Sequence, residues 1–304
     1  MSPAITAVII NYNQGIYFED CFASIKEQTF KDFELIVIDD RSTDDSVEQI
    51  KAVLSRYNFP HRLVVNEKNQ GICANLNMAL QMANGKYFTF IASDDWGEKS
   101  RFEKMHAALT AAGNENKVAY SDCKLVDPEK KLLHESYLKH FQPGLSSPPQ
   151  GRVFGELVRG NFIPAMCTLI SREALLEIGG FDESLKFEDY DLWLRLARKY
   201  DFVFVPGAEG YYRILQNSLI RSLGARKFED LIRVYMKHLD VSGEELNLVK
   251  ERVQATCGAL YYTNSNQFYH FYTELKQMNL ITFKLRALKF LKGLGLKGSL
   301  FKKL

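Results

Sequence analysis

The chain has 304 residues, of which 46% are hydrophobic, with 39 basic and 37 acidic side chains and a formal net charge of +2. This composition is typical of a soluble globular protein with a sizeable core, and the near balance of charge excludes an overall basic surface for nucleic acid. The cysteines are widely scattered without a Cys-x-x-Cys pair, which favours free thiols in a reduced compartment. They are Cys21, Cys73, Cys123, Cys167 and Cys257.

Residues 1–5 lead directly into a predicted strand, without the basic and apolar regions of a signal peptide. No apolar run approaches the ~20 residues that a membrane-spanning helix needs. We therefore expect a cytoplasmic protein without a membrane span.

The first third of the chain alternates predicted strands and helices. Apolar runs predict buried strands at residues 4–11, 34–38, 62–65 and from 87 to the two carboxylates Asp94 and Asp95. Helices are predicted at residues 17–28, from the capping residues 42–45 to 57, and from about 72 to 84. Four strand–helix units in a row imply right-handed crossovers and a mainly parallel sheet with helices on both faces. The predicted fold class is α/β.

Polar loops follow three of these strands, at residues 11–13, 39–44 and 93–95. The carboxyl ends of parallel strands meet at one edge of a sheet, so these loops are expected to converge on one ligand. Asp94 and Asp95 are hard oxygen ligands suited to Mg²⁺ or Mn²⁺ that also touches phosphate, although Asp is also a common helix cap. No glycine-rich dinucleotide or phosphate loop is present to bind phosphate through the backbone.

Several sequence strings, in the expected order, resemble the family 2 glycosyltransferases of GT-A fold over roughly residues 4–222. The strings are residues 8–13, 35–44, 69–71 with Asn77, 93–96, 178–182 and 188–196. The resemblance implies an inverting, hexosyltransferase-type enzyme. It would move a sugar from a nucleoside-diphosphate sugar, with a UDP-sugar favoured, to a hydroxyl acceptor.

The resemblance also implies roles for individual residues. Asp189 corresponds to the general base, and the like charges of Glu188 and Asp191 are expected to raise its proton affinity. Asp94 and Asp95 would hold Mn²⁺ or Mg²⁺, and which of them is the direct ligand stays open. The donor nucleotide would meet Asn11, Tyr12, Asp39, Arg41, Asn69, Asn77, Asp94 and Arg213. The acceptor side would contain Gly180, Phe181, Asp182 and Glu188.

Simpler interpretations exist for several of these residues. Asp189 and Asp191 could be first-turn charges at a helix N-terminus, and Asp39 could be a helix cap, although Ser42 is the better capping residue. The two glycines at 179 and 180 could form only a helix C-cap and turn. Arg213 could belong to a surface ion pair.

The chain also departs from the family pattern. Ala92 replaces the first Asp of Asp-x-Asp, Arg41 replaces a common Gly, Leu76 replaces a basic residue, and Leu215 stands in a region where a His is common. One alternative is therefore a non-catalytic nucleotide- or sugar-binding protein of the same fold. A sugar nucleotidyltransferase is less favoured because the loop after the first strand lacks its glycine-rich, basic sequence, and nothing marks a glycosidase carboxylate pair.

The predicted organisation is a GT-A domain at residues 1–222, with a donor half at about 1–125 and an acceptor half at about 150–222. Residues 127–150 form either a mobile lid or an ordinary connector. A helical region follows at residues 223–304. Residues 276–304 contain eight basic side chains and no acidic one, interleaved with apolar residues.

Such a basic, apolar tail could lie on an anionic membrane surface or dock on its own domain or a partner subunit. The apolar helices would also suit a homodimer. The expected setting is bacterial cell-surface polysaccharide (lipopolysaccharide or capsule) or glycolipid synthesis. The acceptor would be a saccharide or a lipid-linked saccharide, and the enzyme would be cytoplasmic or peripheral on the inner face of the membrane.

Overall fold

The computed structural model describes residues 2–113, 116–216 and 223–301. The chain divides into two compact units. The first comprises residues 1–153 and 160–215, and the second comprises residues 154–159 and 216–304. The short segment 154–159 thus belongs to the second unit although it precedes much of the first in sequence. The domain boundary predicted at residue 222 falls in the stretch 217–222, outside the described residues, and stays a prediction.

Nine strands of the described residues form one sheet in the first unit. They are β1 (Ile5–Asn11), β2 (Phe33–Asp39), β3 (Arg62–Val65), β4 (Tyr87–Ala92), β5 (Trp96–Gly97), β6 (Asn116–Val126), β7 (Leu132–His134), β8 (Thr168–Ser171) and β9 (Asp201–Arg213). The strand order is β3-β2-β1-β4-β8-β6-β9-β5, and β7 pairs with β6. β1 runs parallel to β2 and β4, and β2 runs parallel to β3. These pairings confirm the predicted parallel half, whereas β8 is antiparallel to both of its neighbours.

Twelve α-helices lie in the described residues. They are α1 (Phe18–Lys26), α2 (Ser46–Tyr57), α3 (Ile72–Met82), α4 (Arg101–Ala111), α5 (Tyr137–Phe141), α6 (Phe154–Arg159), α7 (Arg172–Glu177), α8 (Asp189–Ala197), α9 (Arg226–Met236), α10 (Gly243–Tyr262), α11 (Phe268–Gln277) and α12 (Phe283–Gly293). The first three agree with the helices predicted from the apolar spacing. The segment 127–150 contains β7 and α5, so it is not irregular throughout.

The core of the first unit lies where the central strands meet α1, α2 and α4. β1 is buried along its whole length, as expected for a parallel strand covered on both faces. Phe18 and Phe22 lie one turn apart on α1 and stack with ring centroids 5.9 Å apart, so one face of the helix covers the sheet. The five cysteines are all buried and free.

The second unit is helical, with α6 packed on α10 and with α11 and α12 also in contact with α10. Its core consists of apolar and aromatic side chains from four helices. They include Ile232, Val253, Cys257, Leu260, Phe268, Phe271, Leu285 and Leu288. Among the described residues, no helix has the length and apolar character needed to cross a membrane.

Candidate active site

The carboxyl ends of β1 and β2 are tied together by Asn11 and Asp39, which are both buried. The Asn11 amide Nδ2 donates to Asp39 Oδ2 at 2.7 Å. The Ser42 hydroxyl donates to the same oxygen at 2.6 Å, and the Ser42 backbone N–H donates to Asp39 Oδ1 at 2.9 Å. Ser93, beyond β4, donates to Asn11 Oδ1 at 2.5 Å. Three polar loops are therefore joined, and Ser42 organises Asp39 instead of capping α2, whose N-cap is Asp45.

Tyr12 and Arg41 have exposed side chains beside this buried network. Tyr12 is 46% exposed and directly follows β1. Arg41 is exposed and has φ of 64°, in the left-handed region that favours glycine. The glycine that the resemblance implies at this position would adopt this conformation without strain. Both side chains are accessible to a ligand at the sheet edge.

Asp40 positions the loop between β3 and α3, which sequence reasoning did not anticipate. Its carboxylate accepts from the backbone N–H groups of Gln70 at 2.8 Å and Gly71 at 2.9 Å. Asn69, predicted to meet the donor, donates from its side chain to the Asp40 backbone carbonyl at 3.2 Å. The sequence contains a usable signal for Asp40, because Asp39 and Asp40 stand together at the end of β2. Only Asp39 was predicted to belong to the site.

Asp94 and Asp95 follow the end of β4, where the apolar run stops. Asp95 is 5% exposed, and its Oδ1 accepts from the Arg213 backbone N–H at 2.8 Å, whereas Asp94 is half-buried. Burial raises the pKa of both carboxyls, and the charge of Asp94 raises the pKa of Asp95 further.

Two adjacent carboxylates with excess negative charge in a buried setting suit a divalent cation. In the described parts of the chain, no group of three or more His, Cys, Asp or Glu side chains is arranged to hold a metal. The Asp94–Asp95 pair would thus be the type of site in which one or two carboxylates hold Mg²⁺ or Mn²⁺ together with substrate phosphate oxygens.

Arg213 lies against the Asp94–Asp95 loop and is 2% exposed. Its Nε donates to the Asp94 backbone carbonyl at 2.8 Å, and its Nη2 donates to Asp20 Oδ2 at 3.1 Å. The guanidinium also lies over the rings of Tyr17 and Trp96, 4.3 and 4.9 Å from their centroids. The ion pair predicted as the simpler alternative exists, but Arg213 is buried. Arg213 therefore holds the loop of Asp94 and Asp95 in place.

Glu188 and Asp189 stand at the start of α8. Asn161 Nδ2 donates to Asp189 Oδ2 at 2.8 Å, and the Tyr190 backbone N–H donates to Asp189 Oδ1 at 2.7 Å. Burial raises the pKa of Asp189. Burial and the charge of Asp189 raise the pKa of Glu188 to about 8.

The pKa of Asp189 is raised as predicted, but burial is the main cause instead of like charge. Asp191 is buried, and its carboxylate forms an ion pair with Arg195 at 2.7 Å, so its negative charge is balanced. Arg195 also donates to the backbone carbonyls of Ile178 at 2.9 Å and Gly180 at 2.7 Å. Its role was missed, although the i,i+4 spacing of Asp191 and Arg195 on a predicted helix was a usable signal.

The predicted acceptor residues Gly180, Phe181 and Asp182 form a loop that is fixed to α3 by Asn77. Asn77 Nδ2 donates to the Phe181 carbonyl at 2.9 Å, and the Phe181 N–H donates to Asn77 Oδ1 at 2.8 Å. Gly180 has φ of 71°, and a Cβ there would lie 2.5 Å from Asn77 Oδ1, so the close approach requires glycine. The Phe181 ring packs edge-on against Phe90 of β4. Asn77 thus contacts the predicted acceptor loop.

Tyr212 lies near enough to both carboxylate pairs for their charges to act on its hydroxyl. Burial raises the pKa of its hydroxyl, and the charges of Asp95, Asp94, Asp189 and Glu188 all raise it further. The carboxylates predicted for the metal and for the base therefore both act on one phenol. Sequence reasoning did not single out Tyr212, although it immediately precedes Arg213.

Two of the departures from the family pattern are buried in the structure. Leu76 is fully buried in α3 and Leu215 is buried after β9. Neither supplies a charge or a ligand atom at the sheet edge.

The model of the family described as Glycosyl transferase family 2 matches residues 6–179, more than half of the chain. The Campylobacter jejuni GalNAc(5)-diNAcBac-PP-undecaprenol beta-1,3-glucosyltransferase is 25% identical over 271 residues, covering 85% of this chain and 81% of that protein. An uncharacterized glycosyltransferase of Rickettsia prowazekii is 27% identical over 262 residues, covering 82% and 76%. Another, from Rickettsia bellii, is 29% identical over 199 residues, or 64% of this chain, and the match spans 28% of its length.

Solved structures resemble the fold over nearly the whole chain. S. aureus TarS 1-349 in complex with UDP-GlcNAc has a TM-score of 0.63 at 18% identity, covering 93% of this chain and 83% of that TarS fragment. The mannosyltransferase PcManGT from Pyrobaculum calidifontis, in complex with GDP-Man and Mn²⁺, has a TM-score of 0.63 at 15% identity, covering 96% and 87%. At these identities the likeness establishes the fold, and it confirms the predicted α/β fold of GT-A type.

Proposed function

Because this chain belongs to glycosyl transferase family 2, we propose that it moves a sugar from a nucleoside-diphosphate sugar to a hydroxyl acceptor with inversion, with a UDP-sugar as the favoured donor. The observation that supports this most is that the charges of Asp94, Asp95, Glu188 and Asp189 all act on one phenol, that of Tyr212, and raise its pKa. Such a transfer needs one group to accept the proton of the acceptor and others to balance charge on the leaving phosphate.

Asp189 is the proposed general base. Its carboxylate accepts the proton of the acceptor hydroxyl as the acceptor oxygen forms a bond to the anomeric carbon. The bond from that carbon to the leaving phosphate oxygen breaks, and the diphosphate keeps the electron pair. Asn161 fixes one carboxylate oxygen at 2.8 Å, and the raised pKa strengthens Asp189 as a base.

Asn11, Tyr12, Asp39, Arg41 and Asn69 are proposed to line the donor nucleotide site at the edge formed by β1 and β2. Asn11 and Asp39 are buried and joined by a hydrogen bond, so they would hold the backbones of the two loops at this edge in a set position. Tyr12 and Arg41 add accessible side chains on that edge.

Asp94 and Asp95 are the proposed ligands of Mn²⁺ or Mg²⁺, and Arg213 positions their loop. When bound, a divalent cation would supply positive charge to the leaving diphosphate. The solved mannosyltransferase bound to Mn²⁺ lends support to metal use.

Asn77 and Arg213, both predicted to meet the donor, hold neighbouring loops, so we propose positioning roles for them. The acceptor is proposed to bind beside Gly180, Phe181, Asp182 and Glu188. The name of the Campylobacter jejuni relative includes an undecaprenol-linked glycan, which supports a saccharide or lipid-linked saccharide acceptor.

We propose a role in bacterial cell-surface polysaccharide or glycolipid synthesis at the cytoplasmic side of the membrane. A homodimer and an anionic membrane surface at residues 276–304 remain predicted partners. Lys302 and Lys303 of that segment lie outside the described residues.

The donor proposal is tested by titration calorimetry with UDP, GDP, dTDP and CDP, each with Mn²⁺ and with EDTA. We expect UDP to bind with Mn²⁺ and to bind at least about tenfold more weakly in EDTA, because the Asp94–Asp95 pair would then repel the diphosphate. Asp95→Asn should show the weak affinity under both conditions. Asp32→Asn, on an exposed loop before β2, is the control and should bind like wild type.

The absence of binding by all four nucleotides, with and without metal, would contradict the donor proposal. It would favour a protein that no longer uses nucleotide sugars. Equal UDP affinity for wild type and Asp95→Asn in Mn²⁺ would contradict the assignment of Asp95 as a metal ligand, without contradicting the donor proposal.

A further inference from the structure

The α12 helix has two apolar faces. Leu285 and Leu288 are buried on the face that packs against the other helices of the second unit. The opposite face has large apolar side chains that remain in solvent. Soluble proteins rarely expose a contiguous apolar patch without a binding function.

The exposed side chains of α12 form one stripe along the helix. Phe283, Ala287, Phe290 and Leu294 follow one another at intervals of four, three and four residues, which places them on a single face. Phe283 is 87% exposed, Phe290 is 67% exposed and Leu294 is 61% exposed. We call these four residues the α12 stripe.

The opposite face fixes the α12 stripe in its outward position. Thr282 caps the helix by accepting from the Leu285 backbone N–H at 3.3 Å. Lys292 donates to the Ser265 backbone carbonyl at 3.0 Å, and Lys289 lies 4.9 Å from the centroid of the Tyr272 ring. These contacts engage Lys289 and Lys292 with the helical unit, so the outward orientation of the stripe follows from the packing of α12.

Basic residues border the stripe on both sides. With about 100° of rotation per residue, Lys284 projects on one side of Phe283 and Arg286 on the other. Both side chains are exposed. The sequence has no acidic residue between 275 and 304. The outward face of α12 therefore has apolar side chains at its centre and positively charged side chains on both sides.

We infer that the outward face of α12 binds the surface of an anionic lipid bilayer. Phe283, Phe290 and Leu294 would enter the boundary between headgroups and acyl chains. Lys284 and Arg286 would keep their charged ends at the anionic headgroups while their alkyl stems lie along the apolar boundary. Charge complementarity favours a lipid surface over a second copy of the chain, because two such faces would bring like charges together.

This inference does not depend on the proposed sugar transfer, since lipid binding can be measured without donor or acceptor. The test is co-sedimentation of the full chain with vesicles of neutral phosphatidylcholine, or of phosphatidylcholine with roughly one third anionic phosphatidylglycerol. We expect partitioning onto the anionic vesicles and much less onto the neutral ones. High salt should weaken the anionic preference, because it screens exposed charges.

Two double variants separate the apolar and charged contributions. Phe283→Ser/Phe290→Ser should lower partitioning onto anionic vesicles by roughly a hundredfold, as expected for two phenyl rings kept in water. Lys284→Gln/Arg286→Gln should lower it by about thirtyfold on anionic vesicles and leave neutral vesicles unchanged. The control Leu132→Ser/Leu133→Ser removes two leucines of β7 that are each 43% exposed, and it should partition like wild type.

Folding and oligomeric state are measured in the same samples. Unchanged circular dichroism and thermal midpoints would show that the variants are folded, as expected because the changed side chains face solvent. Wild type that stays in solution with anionic vesicles, or a Phe283→Ser/Phe290→Ser variant that sediments equally well, would overturn the inference. A wild-type dimer that does not bind vesicles and that this variant converts to a monomer would assign the face to a second copy and also overturn it.

Discussion

The two carboxylate pairs of the candidate site differ in how the fold supports them. Asp94 and Asp95 lie in a loop after β4, and the residue that holds this loop is Arg213, which is distant in sequence. Asp189 lies at the first turn of α8, where a backbone N–H and the Asn161 amide stabilise its charge.

This difference is compatible with the proposed division between donor binding and proton transfer. A loop held by one arginine can leave a half-buried carboxylate available to a cation and a diphosphate. A carboxylate set at a helix start, with one oxygen fixed by an amide, is suited to accept a proton along a defined direction. We therefore expect changes on the metal side to affect donor binding and stability, and changes on the base side to affect turnover.

The largest expected effect is that of Asp189→Asn. The amide cannot accept the proton of the acceptor, so turnover of the UDP-sugar used by wild type should fall by about a thousandfold. UDP affinity in Mn²⁺, measured by calorimetry, should stay within about twofold of wild type because Asp189 is proposed to act on the acceptor and not on the donor. Retained turnover would contradict the role of Asp189 as the general base. Lost UDP affinity would indicate that Asp189 also takes part in donor binding.

A smaller effect is expected for Arg213→Lys, which keeps the charge but loses the planar fork and the stacking on Tyr17 and Trp96. The free energy of unfolding should fall by about 2 kcal/mol, measured by urea denaturation, and UDP affinity in Mn²⁺ should fall with it. Arg56→Lys is the matched control, since the Arg56–Glu19 pair lies on the surface and should change stability by less than about 0.5 kcal/mol. Equal losses for both variants would contradict the special role of Arg213.

The smallest expected effect is that of Asn161→Ala on the pH profile of turnover. The Asn161 amide favours charged Asp189 and lowers its pKa, so its removal should raise that pKa. The base is active only when deprotonated, so the acidic limb of kcat should move to higher pH and turnover near that limb should fall about tenfold.

The variant Asn161→Ser keeps a hydroxyl donor, one bond nearer the backbone than the Asn161 amide nitrogen, so its acidic limb should move less than that of Asn161→Ala. An unchanged limb in both variants, with lower kcat at every pH, would indicate that Asn161 only supports the local fold.

The parallel half of the fold was predictable because its strands are short apolar runs that end on polar residues. β3 begins and ends at the predicted residues, and β4 stops just before the two predicted carboxylates. The segment 127–150 was less predictable. β7 is three residues long and exposed, so it has no apolar run, and α5 is only five residues long.

In the candidate site, the residue types were predictable where they follow directly from a strand end or a helix start. Asn77 was assigned to the donor, whereas its side chain holds the loop of Phe181, which lies far along the chain. Tyr212 and Asn161 were missed because neither belongs to a local pattern. Their roles appear only when β9 and the segment before β8 approach the carboxylates.

The sequence by itself determined the α/β class, the parallel direction of the first strands and the carboxylates at the sheet edge, because these depend on local periodicity and chain direction. Only the tertiary structure decided that Arg213 supports Asp94 and Asp95, and that burial raises the pKa of Asp189. It also decided which apolar face of α12 turns inward. Both faces are apolar in sequence, and packing against neighbouring helices can bury only one of them.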